Sequence, residues 1–155
     1  MLVRDLMTED VVTAEADSSL EDAARAMLTA GVGSVIVTRD GTPTGILTES
    51  DALAAGCAAG VPFEEIPLAE AMSGPLETIQ PDVTVRAAVE RMEAEDIKKL
   101  PVLDGMDLLG ILTMTDVVQS YHDIVREAHR LDERREGWES KHLTEADISE
   151  LSRDR

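Results

Sequence analysis

Two copies of one polar motif lie 65 residues apart, and each copy ends in an aspartate. Residues 45–51 read Gly-Ile-Leu-Thr-Glu-Ser-Asp, and residues 110–116 read Gly-Ile-Leu-Thr-Met-Thr-Asp. In both copies an apolar run leads into hydroxyl side chains, which predicts a strand that enters a helix. A helix N-terminus offers free N–H groups to an anion, and an aspartate one turn in can accept two hydrogen bonds from a diol such as ribose. The motif therefore predicts a binding site for a nucleoside phosphate.

The same residues also predict ordinary helix capping. Thr48 and Thr113 are good N-cap residues, and Asp51 and Asp116 at the third helical position favour the helix dipole. A single copy would favour capping alone. The second copy keeps the binding hypothesis open.

The two motifs belong to a longer internal repeat, since residues 5–51 and 70–116 align at a constant offset without a gap. Such self-similarity dictates architecture, and two copies at this spacing favour two subdomains related by a pseudo-two-fold axis with two related clefts. The eleven identical pairs are Met7/Met72, Thr13/Thr78, Asp17/Asp82, Ala23/Ala88, Met27/Met92, Val37/Val102, Gly45/Gly110, Ile46/Ile111, Leu47/Leu112, Thr48/Thr113 and Asp51/Asp116.

The elements that must position the motifs follow from hydrophobic periodicity. Leu20 opens an apolar helical stripe in the first repeat, and Ser18 with Glu21 fits a capping box. The other predicted elements are strands at 34–38 and 45–48, a helix at 49–55, a linker at 56–66, a helix at 84–95, and strands at 100–103 and 109–113. Continuous apolar strands indicate a sheet buried on both faces. The predicted fold class is α/β, with two β-α-β-β-α repeats at 1–60 and 61–120.

A different pattern begins directly after the second motif and continues into the third predicted region at 121–155. Apolar residues follow a 4-3-4-3 spacing and charged residues fill the positions between them, which predicts an amphipathic helix before a polar tail. The stripe consists of Val117, Tyr121, Ile124, Ala128 and Leu131. It would pack on its own core, or serve as a dimerisation or partner-docking surface.

Residues 1 to about 120 resemble the CBS domain family, named from cystathionine β-synthase. The resemblance rests on the doubled Gly-h-h-Thr-x-Ser/Thr-Asp motif (h, apolar), on residues 100–104, Leu-Pro-Val-Leu-Asp, and on the paired openings Met7-Thr8 and Met72-Ser73. It implies tandem repeats packed as a Bateman module. It also implies a regulatory role through an adenosine-bearing ligand (AMP, ADP, ATP or S-adenosylmethionine) and further assembly into a homodimer.

The resemblance implies roles for individual residues around two clefts. Asp51 and Asp116 would hold the ribose hydroxyls, and Thr48, Ser50, Thr113 and Thr115 would assist them or reach phosphate. Thr8 and Val12 would line an adenine slot opposite Asp116, and Ser73 and Thr78 would do so opposite Asp51. Lys98 and Lys99, beside Pro101 of the Leu-Pro-Val signature, would meet a phosphate. Because the first repeat lacks this basic pair and signature, we expect the two clefts to bind unequally.

Composition excludes several other classes of function. The net charge is −18, with 32 acidic residues against 14 basic ones, and such a surface repels a nucleic-acid backbone. No apolar run approaches the roughly 18 residues of a membrane span, so no membrane partner is expected. Acid-rich and lysine-poor composition resembles proteins of salt-loving archaea, in which salt screens the self-repulsion.

Catalytic and metal-binding patterns are not found in the sequence. No Walker loop or nucleophile–base arrangement occurs, and His122, His129 and His142 have no zinc-site spacing. We therefore expect no enzyme activity, no metal and no required cofactor. The lone Cys57 and an N-terminus without a signal-peptide pattern favour the cytoplasm. The leading hypothesis is an adenine-nucleotide sensor acting on an unknown regulated protein. The alternatives are a ligand-free, self-associating or partner-docking scaffold and an S-adenosylmethionine-binding module.

Overall fold

Two α/β repeats fill the first of two compact units, Met1–Asp116, and a long helix occupies the described part of the second, Val117–Arg155. The computed structural model describes the backbone of residues 1–139 and the side chains of residues 1–134. The polar tail predicted beyond residue 139 lies outside the described residues.

The element order of the first repeat matches the predicted β-α-β-β-α, and the second repeat keeps this order without the first strand. The first repeat contains β1 (Thr13–Glu15), α1 (Leu20–Ala30), β2 (Ser34–Arg39), β3 (Thr42–Thr48) and α2 (Glu49–Ala59). A short 3₁₀ helix (Val3–Asp5) precedes it. The second contains a 3₁₀ helix (Phe63–Glu65), α3 (Leu68–Ala71), α4 (Val85–Ala94), β4 (Lys99–Asp104), β5 (Asp107–Thr113) and the start of α5 (Met114–Glu139).

The antiparallel hairpins of the two repeats share one register. Ser34 pairs with Thr48 at one end of the β2–β3 hairpin, and Lys99 pairs with Thr113 at the equivalent end of β4–β5. Both hairpins contain a register shift, after Val37 in one and after the equivalent Val102 in the other. The sequence repeat is therefore also a structural repeat, with the same offset throughout.

The first strand differs between the repeats because two prolines replace hydrogen-bond donors. The N–H groups of Ala16 and Ile36 tie the β1 region to the β2 region, at 2.8 and 2.9 Å. The equivalent residues are Pro81 and Pro101, which have no N–H to donate. Only an isolated bridge at Ile79 therefore replaces a third strand, leaving a three-stranded sheet in one repeat and a two-stranded sheet in the other.

The opening segments of the repeats are exchanged. Thr8 of the first repeat pairs with Ile111 in β5 of the second, through two backbone hydrogen bonds of 2.9 Å. Ser73 of the second repeat pairs with Ile46 in β3 of the first, at 2.9 and 3.2 Å. This reciprocal exchange gives the pseudo-two-fold arrangement and brings the start of each repeat to the terminal motif of the other.

Two equivalent glycines permit this exchange by close approach. A Cβ atom at Gly110 would lie 2.7 Å from the Thr8 carbonyl oxygen and 2.9 Å from Met7 Sδ. A Cβ at Gly45 would lie 2.6 Å from Met72 Sδ. These positions explain why the glycine and methionine pairs are among the repeated identities, since each glycine leaves room for the other repeat's opening segment.

The buried core follows the exchange. Leu20 and Met27 of α1 pack with the strands of the first repeat, together with Ile66 and Leu68 from the opening segment of the second. Val3, the equivalent of Leu68, is fully buried in turn. Residues 35–38 of β2 are all buried, in keeping with a strand covered on both faces.

Two local predictions need correction. The α1 N-cap is Ser19, whose hydroxyl accepts from Asp22 N–H and whose N–H donates to Asp22, both at 3.2 Å. Ser18, the predicted cap, donates instead to the Glu15 carbonyl at 2.6 Å. The predicted linker at 56–66 is also partly helical, because α2 continues to the left-handed Gly60.

The second unit presents an apolar stripe on α5. Tyr121 is 66% exposed, Ile124 53% and Leu131 56%. Over residues 117–134 the charged side chains are three arginines and four acids, so this segment is nearly neutral in a strongly acidic chain.

Candidate functional site

Asp116 and Thr113 form a capping box where β5 meets α5. Thr113 donates to Asp116 Oδ2 from its backbone N at 2.8 Å and from its hydroxyl at 2.7 Å. The hydroxyl in turn accepts from Asp116 N–H at 3.2 Å. The Oδ1 atom accepts no hydrogen bond from residues 1–134, and the side chain is half-buried. One oxygen therefore caps the helix while the other remains available as an acceptor.

A cleft of about 180 Å³ lies beside this aspartate. It is formed by the N-terminal segment, the turn before β2, and the ends of β4 and β5. Its lining residues are Thr8, Asp10, Val11, Val12, Val32, Gly33, Ser34, Lys99, Ile111, Thr113 and Asp116. The structure thus brings together five of the predicted site residues, and we call this the Asp116 cleft. Its volume is below the roughly 300–1,000 Å³ of pockets that enclose a drug-sized molecule, so a nucleotide would be held in part and would project to solvent.

The Lys99 ammonium group fits into the Asp116 cleft because Gly33, which has no side chain, lies beside it. Lys99 Nζ lies so close to Gly33 that a Cβ atom there would be 3.1 Å from it. The side chain of Lys98 is exposed and does not line the cleft, although its carbonyl accepts from Met114 N–H at 2.8 Å. The two lysines therefore differ: Lys99 supplies charge to the cleft, and Lys98 supports the start of α5 through its backbone.

The remaining walls combine apolar and acidic groups. Val11, Val12 and Val32 give an aliphatic surface, against which an aromatic base could pack. Asp10 adds a second carboxylate to that of Asp116. The cleft can therefore accept hydrogen bonds from hydroxyl groups, pack against a flat apolar ring and neutralise an anionic group. These three properties match the ribose, the base and the phosphate of a nucleotide.

The equivalent aspartate of the first repeat is more fully bonded. Asp51 Oδ2 accepts from Thr48 N–H at 2.9 Å, and Asp51 N–H donates to the Thr48 hydroxyl at 3.3 Å. Its Oδ1 accepts from the Ser73 hydroxyl at 3.0 Å. The Ser50 hydroxyl lies 3.4 Å from that of Thr48. These four predicted residues are thus gathered around one another, with both carboxylate oxygens in use.

Three predicted residues lie elsewhere or face differently. Thr78 lines a separate groove of about 480 Å³ together with Arg91, and Asp51 is not among the residues that line it. Thr115 is exposed on the first turn of α5 and does not line the Asp116 cleft. Pro101 is fully buried in β4, so its side chain packs in the core and does not face the cleft.

Sequence reasoning missed six of the lining residues: Asp10, Val11, Val32, Gly33, Ser34 and Ile111. Ser34 could have been inferred from the repeat, because it is the counterpart of Lys99 and both open a strand paired with a motif threonine. No sequence pattern around Asp10 or Gly33 indicates that they line a cleft. They reach the cleft only through the exchange of opening segments.

The chain belongs to the CBS domain family. The profile of the CBS domain matches twice, over residues 3–57 and 65–123. The two matches together cover both repeats and the first turns of α5, and they identify the molecule as a tandem CBS pair, the class of regulatory module that this fold defines.

Relatives match over the same region. An uncharacterized protein of Methanopyrus kandleri is 32% identical over 76% of this chain, which spans 61% of that protein's length. The CBS domain-containing protein YhcV of Bacillus subtilis is 30% identical over 74% of this chain and 81% of its own length. A homoserine O-acetyltransferase of Methanohalobium evestigatum is 30% identical over 74% of this chain, but the match covers only 23% of that enzyme.

One similar solved structure contains ligands. The CBS domain pair of protein MJ0100 was crystallised in complex with 5′-methylthioadenosine and S-adenosyl-L-methionine. It superimposes with a TM-score of 0.71 over 79% of this chain and 97% of that one, at 23% identity. This similarity establishes the shared fold.

No helix in the described part of the chain is long and apolar enough to cross a bilayer. No group of three or more histidine, cysteine or acidic side chains there is arranged to hold a metal ion.

Proposed function

We propose that this protein is a non-catalytic sensor that binds an adenosine-containing ligand in the Asp116 cleft, with AMP, ADP or ATP as the ligand. The observation that carries the proposal is the Oδ1 of Asp116, which accepts no hydrogen bond from residues 1–134 and lies beside a cleft that also contains Lys99. Thr113 holds the carboxylate in place, so the acceptor is ordered before a ligand arrives. The ribose diol would donate to this oxygen.

The aliphatic and cationic walls support the other parts of the ligand. Val12 and Thr8 come from the first repeat, and Asp116 and Thr113 come from the second. A nucleoside held by both would contact the exchanged segment and the terminal motif together. Only a ligand that prefers one arrangement of these segments could transmit a signal to a regulated partner.

Thermal unfolding tests the proposal directly. A ligand at a hundredfold excess over its Kd stabilises the folded state by about 2.7 kcal/mol. For a chain of this size each kcal/mol raises the Tm by roughly 2–4 °C, so a rise of about 5–10 °C is expected. AMP, ADP, ATP and S-adenosylmethionine would each be tested at saturating concentration.

An aspartate substitution provides the specific control. The Asp116→Ala variant should lose the ligand-dependent rise, whereas Asp107→Ala, an exposed aspartate at the far end of β5, should keep it. No rise with any of the four ligands would reject the proposal. A rise that survives in Asp116→Ala would reject this cleft as the site.

The measurements belong in molar KCl as well as in dilute buffer. The net charge of −18 leads us to propose that the protein is adapted to high salt, as in halophiles. At 1 M salt the Debye length falls to about 3 Å, and repulsion between surface carboxylates is largely screened. A Tm that is unchanged or lower in KCl would count against this adaptation.

S-adenosylmethionine is the alternative ligand, because the solved relative with this fold holds it. Lys99 favours a phosphate instead, since S-adenosylmethionine carries a cationic sulfonium. Substituting Lys99 by alanine should weaken AMP binding and leave S-adenosylmethionine binding unchanged or stronger. A loss of both would favour a steric role for Lys99.

A second function, self-association or partner docking, is favoured by the exposed stripe on α5. We propose that this stripe supports a homodimer, because residues 117–134 of α5 are nearly neutral and two copies of this segment would meet with little repulsion. The double variant Ile124→Glu with Leu131→Glu should sediment as a monomer, and Gln119→Glu, off the stripe, should not differ from the original chain. A ligand-free scaffold would show this dependence with no thermal shift.

A further inference from the structure

The motif aspartates of the two repeats differ in how many of their carboxylate oxygens already accept a hydrogen bond. We call the surroundings of Asp51 and Ser73 the first-repeat cleft. We infer that Ser73 acts as an internal ligand of Asp51 and closes the first-repeat cleft, so that each chain binds one adenosine-containing ligand, at Asp116. This inference rests on the proposed function and determines its stoichiometry. Ser73 would then be a specificity-determining residue, because its hydroxyl keeps the ligand away from Asp51.

The first step is the comparison of the two carboxylates. Asp51 and Asp116 are equivalent, and each uses Oδ2 to cap its helix. Asp51 Oδ1 accepts from the Ser73 hydroxyl at 3.0 Å. Thr8 is the equivalent of Ser73, yet it donates no hydrogen bond to Asp116 within residues 1–134. A hydroxyl of the chain therefore occupies at Asp51 the position that a ribose hydroxyl would take.

The second step concerns the wall of each cleft. The Val12 carbonyl accepts from Ile36 N–H at 2.9 Å, which fixes the wall of the Asp116 cleft to β2. The equivalent of Val12 is Glu77, and Pro101 has no N–H to make the equivalent bond. The Glu77 carboxylate is instead paired with Arg91 at 2.7 Å. The position equivalent to Val12 in the second repeat is therefore charged and held by fewer backbone hydrogen bonds than the apolar wall of the Asp116 cleft.

The third step is energetic. A ligand that needs Asp51 Oδ1 must displace a hydroxyl held in place by the backbone bonds between Ser73 and Ile46. The apparent Kd is the intrinsic Kd divided by the fraction of molecules in which the site is open. If the Ser73 bond is made in 99 of a hundred molecules, the apparent affinity falls about a hundredfold relative to the Asp116 cleft, so the first-repeat cleft stays nearly empty at concentrations that fill the other.

Isothermal titration calorimetry with AMP as the probe tests the inference. The original chain should bind one equivalent, Asp116→Ala should bind none, and Asp51→Ala should bind one equivalent with unchanged Kd. Two equal equivalents in the original chain would overturn the inference while supporting the proposed function. Binding that is lost in Asp51→Ala but kept in Asp116→Ala would overturn both the site and its assignment.

A matched pair of variants isolates the Ser73 hydroxyl. Glu77→Val copies Val12 into the first-repeat cleft, and on its own it should still bind one equivalent. Adding Ser73→Ala should raise the stoichiometry from one to two. The inference is overturned if Glu77→Val alone binds two equivalents, or if the double variant binds only one. Thermal unfolding of each variant would establish that it is folded, and absence of AMP binding throughout would overturn the proposed function together with this inference.

Discussion

The two repeats keep one backbone and differ in the chemistry placed on it. Their hairpins share register and register shift, their motif threonines cap the following helices, and their glycines admit the other repeat's opening segment. They differ at the prolines that remove ladder bonds, at the residue bonded to the motif aspartate, and in the loop before the second strand. The features that hold the pair together are thus duplicated, whereas among the described residues the unbonded aspartate oxygen and the lysine beside it are found at Asp116 and not at Asp51.

The comparison also separates capping from binding. Both aspartates accept the hydrogen bonds of a capping box, so the box alone gives no information about a ligand. What distinguishes Asp116 is the acceptor left over after capping, together with a cleft and a nearby cation. A motif repeated for structural reasons can therefore contain a site in only one of its copies.

The largest expected effect tests the shared backbone. Gly110→Ala would place a methyl group 2.7 Å from the Thr8 carbonyl oxygen, a backbone atom that cannot move without shifting the exchanged segment. We expect a loss of about 3 kcal/mol in unfolding free energy, at the upper end for overpacking. Urea denaturation would measure it.

The equivalent substitution sharpens this comparison. A methyl group at Gly45 would be 3.0 Å from the Ser73 carbonyl and 2.6 Å from Met72 Sδ, which belongs to a flexible side chain. Gly45→Ala should therefore cost less than Gly110→Ala. Equal losses of unfolding free energy in the two variants would mean that the methionine contacts, and not the backbone contacts, determine the destabilisation.

Much of this backbone could be predicted from the sequence. The repeat offset, the hydrophobic stripe beginning at Leu20, and the apolar strands are local patterns, and each predicts an element with the correct type and order. The predicted N-cap of α1, Ser18, is one residue too early. Ser18 and Ser19 both fit the cap preference, and only the hydrogen bonds distinguish them. The two-stranded sheet could have been predicted from Pro81 and Pro101, since a missing N–H can be read from the sequence.

The candidate cleft was less predictable because it depends on contacts between repeats. The exchange of opening segments brings Asp10 and Gly33 beside Asp116, and no local pattern contains that pairing. The Ser73–Asp51 hydrogen bond has the same origin. Lys98 and Lys99 are adjacent in sequence, but their side chains differ in exposure because Lys99 is the first residue of β4 and Lys98 lies in the bend that precedes it.

The next effect tests the charge of the cleft. Lys99→Ala should weaken AMP binding by roughly tenfold to a hundredfold, the range of a hydrogen bond to a charged group. Lys98→Ala should change the Kd for AMP less than twofold, since that side chain lies outside the cleft. Adenosine, which lacks the phosphate, serves as the control ligand and should bind both variants alike. A larger loss in Lys98→Ala would show that the phosphate lies on the other lysine.

A smaller effect compares the two caps. Thr113 uses its hydroxyl both to donate to Asp116 at 2.7 Å and to accept from its N–H, whereas the Thr48 hydroxyl accepts from Asp51 N–H at 3.3 Å. Thr113→Ala should lower the unfolding free energy by about 1.5 kcal/mol and Thr48→Ala by about 0.5–1 kcal/mol, within the usual range for caps. Serine at either position should restore most of the loss. If serine fails to restore stability, the threonine methyl group and not the hydroxyl carries the effect.

The smallest effect tests the missing strand of the second repeat. Pro81→Ala supplies the N–H whose counterpart at Ala16 donates at 2.8 Å to the neighbouring strand. A new hydrogen bond contributes about 0.5–1.5 kcal/mol, but replacing proline also increases the entropy of the unfolded chain at a cost of about 0.4–1 kcal/mol. The unfolding free energy should therefore change little, and hydrogen exchange is the decisive measurement. The new amide at position 81 should exchange slowly, as we also expect for the hydrogen-bonded Ala16 amide. Rapid exchange would show that Pro101, which removes the second ladder bond, is sufficient to keep this strand from forming.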